Sequence, residues 1–270
     1  MSTFDDLYNK LNKEQKIAVD SIEGPVMVIA GPGTGKTQVL TLRIANILQK
    51  TDTNPDSILA LTFTESGVRA MRERLFLSLG TSAYYVNIHT FHSFASEVIQ
   101  ANPDEFIIST KVESLSDLER THIFKEIFDE ENLHAIKPFN SPYYYLSTAI
   151  SKIQDLKREG IDTNEYLKYI EKSSSKMDPK DVEKNNDLLK VYKSYQNKLL
   201  KYGRYDFEDM INFVTEKFKS SPSLLLKYQE RFQYFLVDEF QDTNSAQAEL
   251  LYQLSSYWDP NPNLFVVGDD

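Results

Sequence analysis

The chain has 270 residues, of which 41% are hydrophobic and 26% are charged, a balance that supports an apolar core and argues against disorder. It contains no cysteine, which excludes disulfides, thiolate metal sites and cysteine nucleophiles. The formal net charge of -10 counts against a wholly basic nucleic-acid-binding surface, although an acidic total leaves room for a local basic groove.

Neither a secretory signal nor a membrane span is predicted. The first ten residues, MSTFDDLYNK, have no basic start followed by an apolar stretch. The longest apolar runs, such as Pro25 to Ala30, are too short to cross a bilayer. We therefore expect no membrane partner, and the lack of cysteine agrees with a reducing, cytoplasmic location. No residue pattern specifies an oligomeric state.

Strands and helices alternate over much of the chain. Five β-branched or aromatic runs predict strands: Val26–Ala30, Ile58–Phe63, Tyr84–His89, Tyr234–Asp238 and Leu264–Val267. All but the third are nearly continuous apolar runs, which is typical of parallel strands buried on both faces. Helical patterns follow at Lys36–Gln49, Glu65–Leu79, Phe91–Gln100 and Ser245–Ser255. This alternation predicts an α/β fold with a parallel sheet flanked by helices.

The alternation stops between about Asn102 and Gly203. Amphipathic helical patterns replace it at Ser116–Asp129, Tyr143–Arg158 and Asp181–Lys201, and prolines and glycines separate them. We therefore predict an inserted all-helical subdomain at residues 102–203. It interrupts an α/β domain whose first part is residues 1–101 and whose second part is residues 204–270.

The run AGPGTGKT (Ala30–Thr37) lies directly between a predicted strand and a predicted helix. Its glycines allow a tight turn whose backbone N–H groups face phosphates, and the following helix adds its positive end. Lys36 would reach the β- and γ-phosphates and the Thr37 hydroxyl would hold Mg²⁺. The pattern usually begins with glycine and here begins with Ala30. The loop predicts a nucleotide site that includes Gly31, Gly33, Thr34, Gly35, Lys36, Thr37 and Gln38.

A second motif, which is acidic, narrows the classes of phosphate-loop enzyme to which the chain could belong. The run FLVDEFQD (Phe235–Asp242) places two adjacent acids at the end of an apolar strand, where ligands bind in such sheets. Asp238 would hold Mg²⁺, and Glu239 would orient and deprotonate an attacking water, which an ATPase needs and a kinase does not. We predict Lys36, Asp238 and Glu239 as the catalytic set, with ATP and Mg²⁺ as cofactors.

AGPGTGKT and LVDEFQDTN closely resemble the corresponding motifs of the UvrD/Rep-like superfamily-one DNA helicases. Further stretches match that family in order: LNKEQ (Leu11–Gln15), LTFT (Leu61–Thr64), TFHS (Thr90–Ser93), DFEDM (Asp206–Met210) and VVGDD (Val266–Asp270). The resemblance covers nearly the whole chain. It implies a RecA-like P-loop NTPase domain carrying a helical subdomain, with ATP hydrolysis driving movement on single-stranded DNA and unwinding of duplex DNA.

The resemblance also implies roles for single residues. Gln15 would read the adenine edge, and the VVGDD stretch would begin the motif that senses the γ-phosphate and couples it to DNA. Phe63 would stack on a base, which suits a motor because stacking grips any base. Thr62, Thr90 and His92 would touch the same strand. Travel from 3′ to 5′, in repair or recombination, is what the family suggests.

This chain departs from the family pattern at three places. Glu65-Ser66 stands where members often have Asn-Lys, which should weaken contact with the DNA backbone. Gln38 stands where members often have Arg. The second RecA-like domain, whose arginines would complete the ATP site, is not among these residues. We therefore expect this 270-residue piece alone to bind Mg-ATP weakly, hydrolyse it poorly and unwind nothing.

Two alternative interpretations stay open at this point. The chain could be the motor part of a RecB- or AddA-type helicase-nuclease, whose nuclease would lie beyond these residues. It could instead be a nucleotide-binding interaction module without motor activity. The presence of Lys36, Thr37, Asp238 and Glu239 argues against the module, which has no need of a set that binds magnesium and activates water.

Overall fold

The computed structural model describes residues 4–106 and 113–269. Within them the chain forms two compact units. The α/β unit contains the described residues up to Val98 and from Val214 onward, and the helical unit contains those between Ile99 and Phe213. None of the described helices combines the length and apolar character that a membrane crossing requires.

The elements follow the predicted alternation. The first part of the chain contains α1 (Phe4–Tyr8), α2 (Lys13–Asp20), β1 (Val26–Ile29), α3 (Lys36–Lys50), β2 (Ile58–Thr62), α4 (Glu65–Leu79), β3 (Asn87–Thr90) and α5 (Phe91–Ala101). The middle contains β4 (Glu113–Ser114), α6 (Asp117–Glu130), α7 (Leu146–Arg158), α8 (Thr163–Ser173), α9 (Pro179–Tyr202) and β5 (Arg204–Tyr205). The last part contains α10 (Asp209–Ser220), α11 (Pro222–Arg231), β6 (Tyr234–Val237), α12 (Ser245–Ser255) and β7 (Leu264–Gly268).

A parallel five-stranded sheet forms the centre of the α/β unit. Its order is β1-β7-β6-β2-β3, so the strand before the phosphate loop and the strand before the acidic pair are separated by β7 alone. Because every pair is parallel, the carboxyl ends of all five strands meet at one edge, where ligands bind in such sheets. The predicted α/β class with a parallel sheet is confirmed.

The β1 strand departs from the expected burial on both faces. Val26 and Val28 pack against the core, whereas Met27 is 64% and Ile29 is 65% exposed. The expectation is therefore wrong for β1, while β2 and β6 are buried along their whole length. An apolar run looks alike in an edge strand and in a central strand, and β1 is one of the two edge strands of the described sheet.

The third strand was also placed wrongly, over Tyr84–His89. The structure has β3 at Asn87–Thr90, and Gly80–Tyr85 form a 3-10 helix after α4. Gly80 ends α4 with φ 63°, and Tyr84 and Tyr85 are largely exposed. Aromatic residues are typical of strands, but these two lie in the connection that precedes one.

Helix α3 anchors the phosphate loop to the rest of the α/β unit. Its middle is fully buried, and Arg43 donates to the carbonyl of Ala18 at 2.8 Å while its guanidinium lies 4.5 Å from the centre of the Phe265 ring. Burial lowers the pKa of Arg43 to about 10. Asn46 donates to the carbonyl of Val19 at 3.0 Å. These bonds hold α2 against α3, which fixes the N-terminal segment beside the phosphate loop.

The helical unit has a core of its own, formed chiefly by α6, α7 and α9. Phe124, Phe128, Ile153 and Tyr195 are among its buried residues. The sequence predicts an all-helical unit, whereas the structure adds a short parallel strand pair, β4 with β5. Four charged residues form a buried ion cluster in this unit: Arg120, Lys157, Asp206 and Asp209.

The buried ion cluster explains why the helical unit extends past Gly203 to Phe213. The glycine ends α9 with φ 61°, a usual helix stop. Asp206 and Asp209 follow this stop, and both accept from Lys157 of α7, at 2.8 and 2.9 Å. These charges bind the segment after Gly203 to the helical unit, so the unit ends within α10.

Candidate functional site

The phosphate loop connects β1 to α3 at the carboxyl edge of the sheet. Gly33 and Gly35 have φ values of 74° and 84°, a left-handed backbone that favours glycine. A Cβ added at Gly31 or Gly33 would meet nothing within 4 Å, so the loop borders open space. Such a loop, with an open concave side and a helix beginning at Lys36, fits a polyphosphate.

The Lys36 side chain lies between the phosphate loop and the residues that follow β6 and β7, and these three segments enclose the candidate ATP pocket. Lys36 is only 8% exposed. Its Nζ donates to the carbonyl of Ala30 at 3.3 Å, forms an ion pair with Asp269, and lies 3.7 Å from Glu239 Oε2. The hydrogen bond to Asp269 raises the pKa of Lys36, which therefore stays a cation. The lysine thus reaches the acidic residues that follow β6 and β7.

Thr37 and Asp238 form the second half of the pocket. Thr37 Oγ1 donates to Asp238 Oδ2 at 2.9 Å, across the ends of α3 and β6. Burial raises the pKa of Asp238, which is 4% exposed. Magnesium is usually held by one or two carboxylates together with substrate phosphates, so a neighbouring hydroxyl and carboxylate at the phosphate loop fit this ion.

Glu239 has an unusual backbone. Its φ of 53° and ψ of 45° lie in the left-handed region, and it is the one non-glycine residue with positive φ in the described part of the chain. Backbone strain of this kind costs about 1–3 kcal/mol and tends to occur at functional sites. The conformation turns the chain after β6 and places the Glu239 carboxylate near Lys36.

The other predicted nucleotide residues lie beside the loop. Gln15 Nε2 donates to the carbonyl of Thr34 at 2.8 Å, and Gln15 Oε1 accepts from Asn12 in the capping box of α2. A Cβ on Gly35 would lie 3.7 Å from Gln15 Nε2 and 3.8 Å from Gln38 Oε1. The structure therefore brings Gln15 and Gln38 to the loop, and the reading of adenine by Gln15 stays a prediction.

The predicted DNA contacts lie together at the ends of β2 and β3. Thr62 and Thr90 are partners in the strand register. The rings of Phe63 and Phe91 have centres 5.6 Å apart, and Phe63 is partly exposed. His92 lies in the first turn of α5 and is partly buried. This end of the sheet thus carries an aromatic ring that a base could reach.

The two threonines are less accessible than this prediction implies. Thr62 is 4% and Thr90 is 6% exposed. Thr90 Oγ1 accepts from the Ser93 N–H at 3.0 Å and lies 3.4 Å from Glu65 Oε1, so it serves the start of α5. Glu65 stands where the family often has asparagine. Direct contact between these hydroxyls and DNA stays a prediction.

Sequence reasoning missed several residues of the site. Gln241 hydrogen-bonds both Glu239 and the backbone of Asp269, at 3.0 and 2.9 Å. A Cβ on Gly268 would lie 2.5 Å from Gln241 Oε1, and one on Gly67 would lie 2.6 Å from Thr62 Oγ1. Gln241, Gly268 and Asp269 lie inside the quoted motifs, and this position in the sequence could have identified them as site residues. Gly67 gave no such signal, because its constraint arises from the close approach of the Thr62 and Thr64 side chains.

The sequence is similar to known proteins over nearly its whole length. A family model described as the UvrD/REP helicase N-terminal domain matches residues 11–270. The ATP-dependent DNA helicase PcrA of Staphylococcus aureus is 34% identical over 263 residues, which are 97% of this chain and 33% of that protein. PcrA of Staphylococcus epidermidis is 34% identical over 263 residues, 97% of this chain and 34% of that protein. The chain thus spans about a third of the length of these relatives. It belongs to the UvrD/Rep helicase family.

Proposed function

We propose that this chain binds and hydrolyses Mg-ATP as part of a DNA helicase that moves along single-stranded DNA. One observation carries the proposal: Lys36, Thr37, Asp238 and Glu239 converge on one pocket next to an open glycine loop. These residues come from both sides of the helical unit in the sequence, and only folding brings them together. The set supplies each function that ATP hydrolysis needs from this domain.

Each side chain has a separate task in this proposal. Lys36 and the loop N–H groups bind the phosphates, and Thr37 with Asp238 holds the metal. Bound Mg²⁺ would neutralise part of the phosphate charge. Glu239 orients a water and accepts its proton. Lys36 pairs with Asp269 and lies near Glu239 in this structure, so a phosphate would compete for a cation that these acids now hold.

The DNA part of the proposal rests on the adjoining strand ends. Phe63 lies at the end of β2, the neighbour of β6 in the sheet, and β6 leads into Asp238. The DNA-facing end and the ATP pocket therefore share one rigid sheet edge, through which ATP-dependent changes could act on a bound strand. By analogy with the family, we propose movement from 3′ to 5′ and unwinding of duplex DNA in repair or recombination.

The test measures ATP turnover of the full-length gene product, with and without single-stranded DNA. Lys36→Ala should lower kcat about 100-fold or more, because removing one group that stabilises transition-state charge has effects of this order. Lys50→Ala is the matched control, since Lys50 lies in the same helix but is exposed and pairs with Asp20. Its turnover should equal that of the wild type.

The dependence on DNA separates a motor from a nucleotide-binding interaction module. A motor should turn over ATP faster when single-stranded DNA is added. Turnover that ignores DNA would support a nucleotide-binding module instead. If Lys36→Ala hydrolyses ATP at the wild-type rate, the proposed site is wrong.

A further inference from the structure

The side chain of Gln241 joins two acidic segments of the pocket. Its Nε2 donates to Glu239 Oε2 at 3.0 Å, and its Oε1 accepts from the backbone N–H of Asp269 at 2.9 Å. A carboxylate accepts and a backbone N–H donates, so one orientation of the amide satisfies both partners. Gln241 therefore connects the turn after β6 with the end of β7.

The end of β7 is shaped to admit this side chain. A Cβ at Gly268 would lie 2.5 Å from Gln241 Oε1, 3.1 Å from the backbone nitrogen of Gln241 and 3.3 Å from that of Phe240. A glycine at this position therefore lets the β6 turn approach β7 closely. Any larger residue at position 268 would have to displace the Gln241 amide.

The Glu239 carboxylate needs such support. The side chain is 40% exposed, so packing against neighbouring atoms restrains it little, and its backbone is in the left-handed region. Gln241 gives it a hydrogen-bond donor two residues further along the chain. Lys36 contacts both Glu239 and Asp269. Together with the two hydrogen bonds of Gln241, these contacts join the four residues in a closed ring.

From this geometry we infer that Gln241 is a positioning residue for ATP hydrolysis. It holds the Glu239 carboxylate towards the attacking water and couples that carboxylate to the end of β7. The inference rests on the proposed function, because it assigns Glu239 the role of proton acceptor. Gln241 itself makes no bond in the reaction and binds neither phosphate nor metal.

Kinetics of the full-length gene product test this inference. In Gln241→Ala we expect kcat for ATP to fall about 10- to 100-fold, a loss of the size seen when a hydrogen-bond partner that orients a metal ligand is removed. The KM for ATP should stay near that of the wild type, because the phosphate loop and Lys36 are intact. Gln233→Ala is the matched control, an exposed glutamine just before β6, and it should leave kcat unchanged.

A conservative variant separates the two halves of the bridge. Gln241→Glu can still accept from the Asp269 N–H but cannot donate to Glu239, and it places a second carboxylate beside the first. Its kcat should be at least as low as that of Gln241→Ala. Wild-type kcat in both variants, at an unchanged melting temperature, would overturn the inference.

Gly268→Ala gives an independent measurement. The added methyl group should displace the Gln241 amide and lower kcat by a similar factor. The double variant Gly268→Ala/Gln241→Ala should then be no slower than the slower single variant, because both changes remove the same contact. Multiplying effects would show that Gly268→Ala acts through the backbone of the β6 turn, and would refute the claim that it acts by displacing the Gln241 amide.

Failure of the proposed function would look different. Lys36→Ala and Glu239→Gln would then hydrolyse ATP at the wild-type rate. If both are inactive while every Gln241 variant turns over normally, the inference about Gln241 alone is wrong.

Discussion

Removing the Lys157 charge should destabilise the helical unit strongly. The Lys157 side chain has no exposed surface, and its ammonium bonds Asp206 at 2.8 Å and Asp209 at 2.9 Å. Lys157→Met keeps most of the volume but leaves two carboxylates without this cation. Breaking a buried pair costs about 3–5 kcal/mol. We expect about 3 kcal/mol, the low end, because Asp206 keeps Arg120 at 3.1 Å.

The same substitution at Lys152 is the matched control. Lys152 lies in the same helix but is exposed, so Lys152→Met should change the free energy of unfolding by less than about 0.5 kcal/mol. Native-state hydrogen exchange of peptides from α7 and α9 measures the helical unit by itself. Equal losses in the two variants would refute the assignment of a buried, essential charge.

The pH dependence of this loss has a definite sign. Burial alone would raise the pKa of Asp206, but Lys157, Tyr195 and Arg120 together outweigh burial and hold this pKa below its usual value. In the wild type this contribution is present above the ordinary pKa of about 3.9 and is lost as the pH falls through the lowered value. In Lys157→Met burial prevails and the pKa rises. The difference in the free energy of unfolding between the wild type and Lys157→Met should therefore be largest near neutral pH and shrink towards about pH 4.

Three further predictions concern the site. Phe63→Ala should weaken binding of single-stranded DNA by about 1–3 kcal/mol in fluorescence anisotropy, whereas Tyr252→Ala, which removes an exposed aromatic ring on α12, should not. Equal affinities for both variants and the wild type would exclude stacking. Burial raises the pKa of Asp238, so Mg²⁺ affinity in calorimetry with ATP should fall as the pH drops through that raised value; an affinity independent of pH between about pH 4 and about pH 7 would contradict this. Gly67→Ala should displace Thr62, whose Oγ1 would lie 2.6 Å from the new Cβ. It should lower DNA-stimulated ATP turnover and leave basal turnover unchanged, and normal stimulation would show that Thr62 is not needed for the response to DNA.

Local sequence signals determined much of this protein. The glycine loop, the acidic pair and the strand–helix alternation were sufficient to predict the α/β class and the parallel sheet. These predictions succeeded because each depends on neighbours in the chain: glycine permits the left-handed turns at Gly33 and Gly35, and periodic apolar residues mark helices. Helix α4 was predicted with its observed bounds, since Thr64 caps its first turn through the N–H of Gly67.

Long-range packing decided the rest. An apolar run does not reveal whether its strand lies at an edge or in the centre, so the exposure of Met27 and Ile29 depends on the strand order. The extension of the helical unit to Phe213 depends on a lysine about fifty residues earlier in the chain, which attracts Asp206 and Asp209. The Gln241 bridge exists only because β6 and β7 are neighbours and a glycine leaves room between them. Such contacts follow from which surfaces meet, and this is fixed by the tertiary structure.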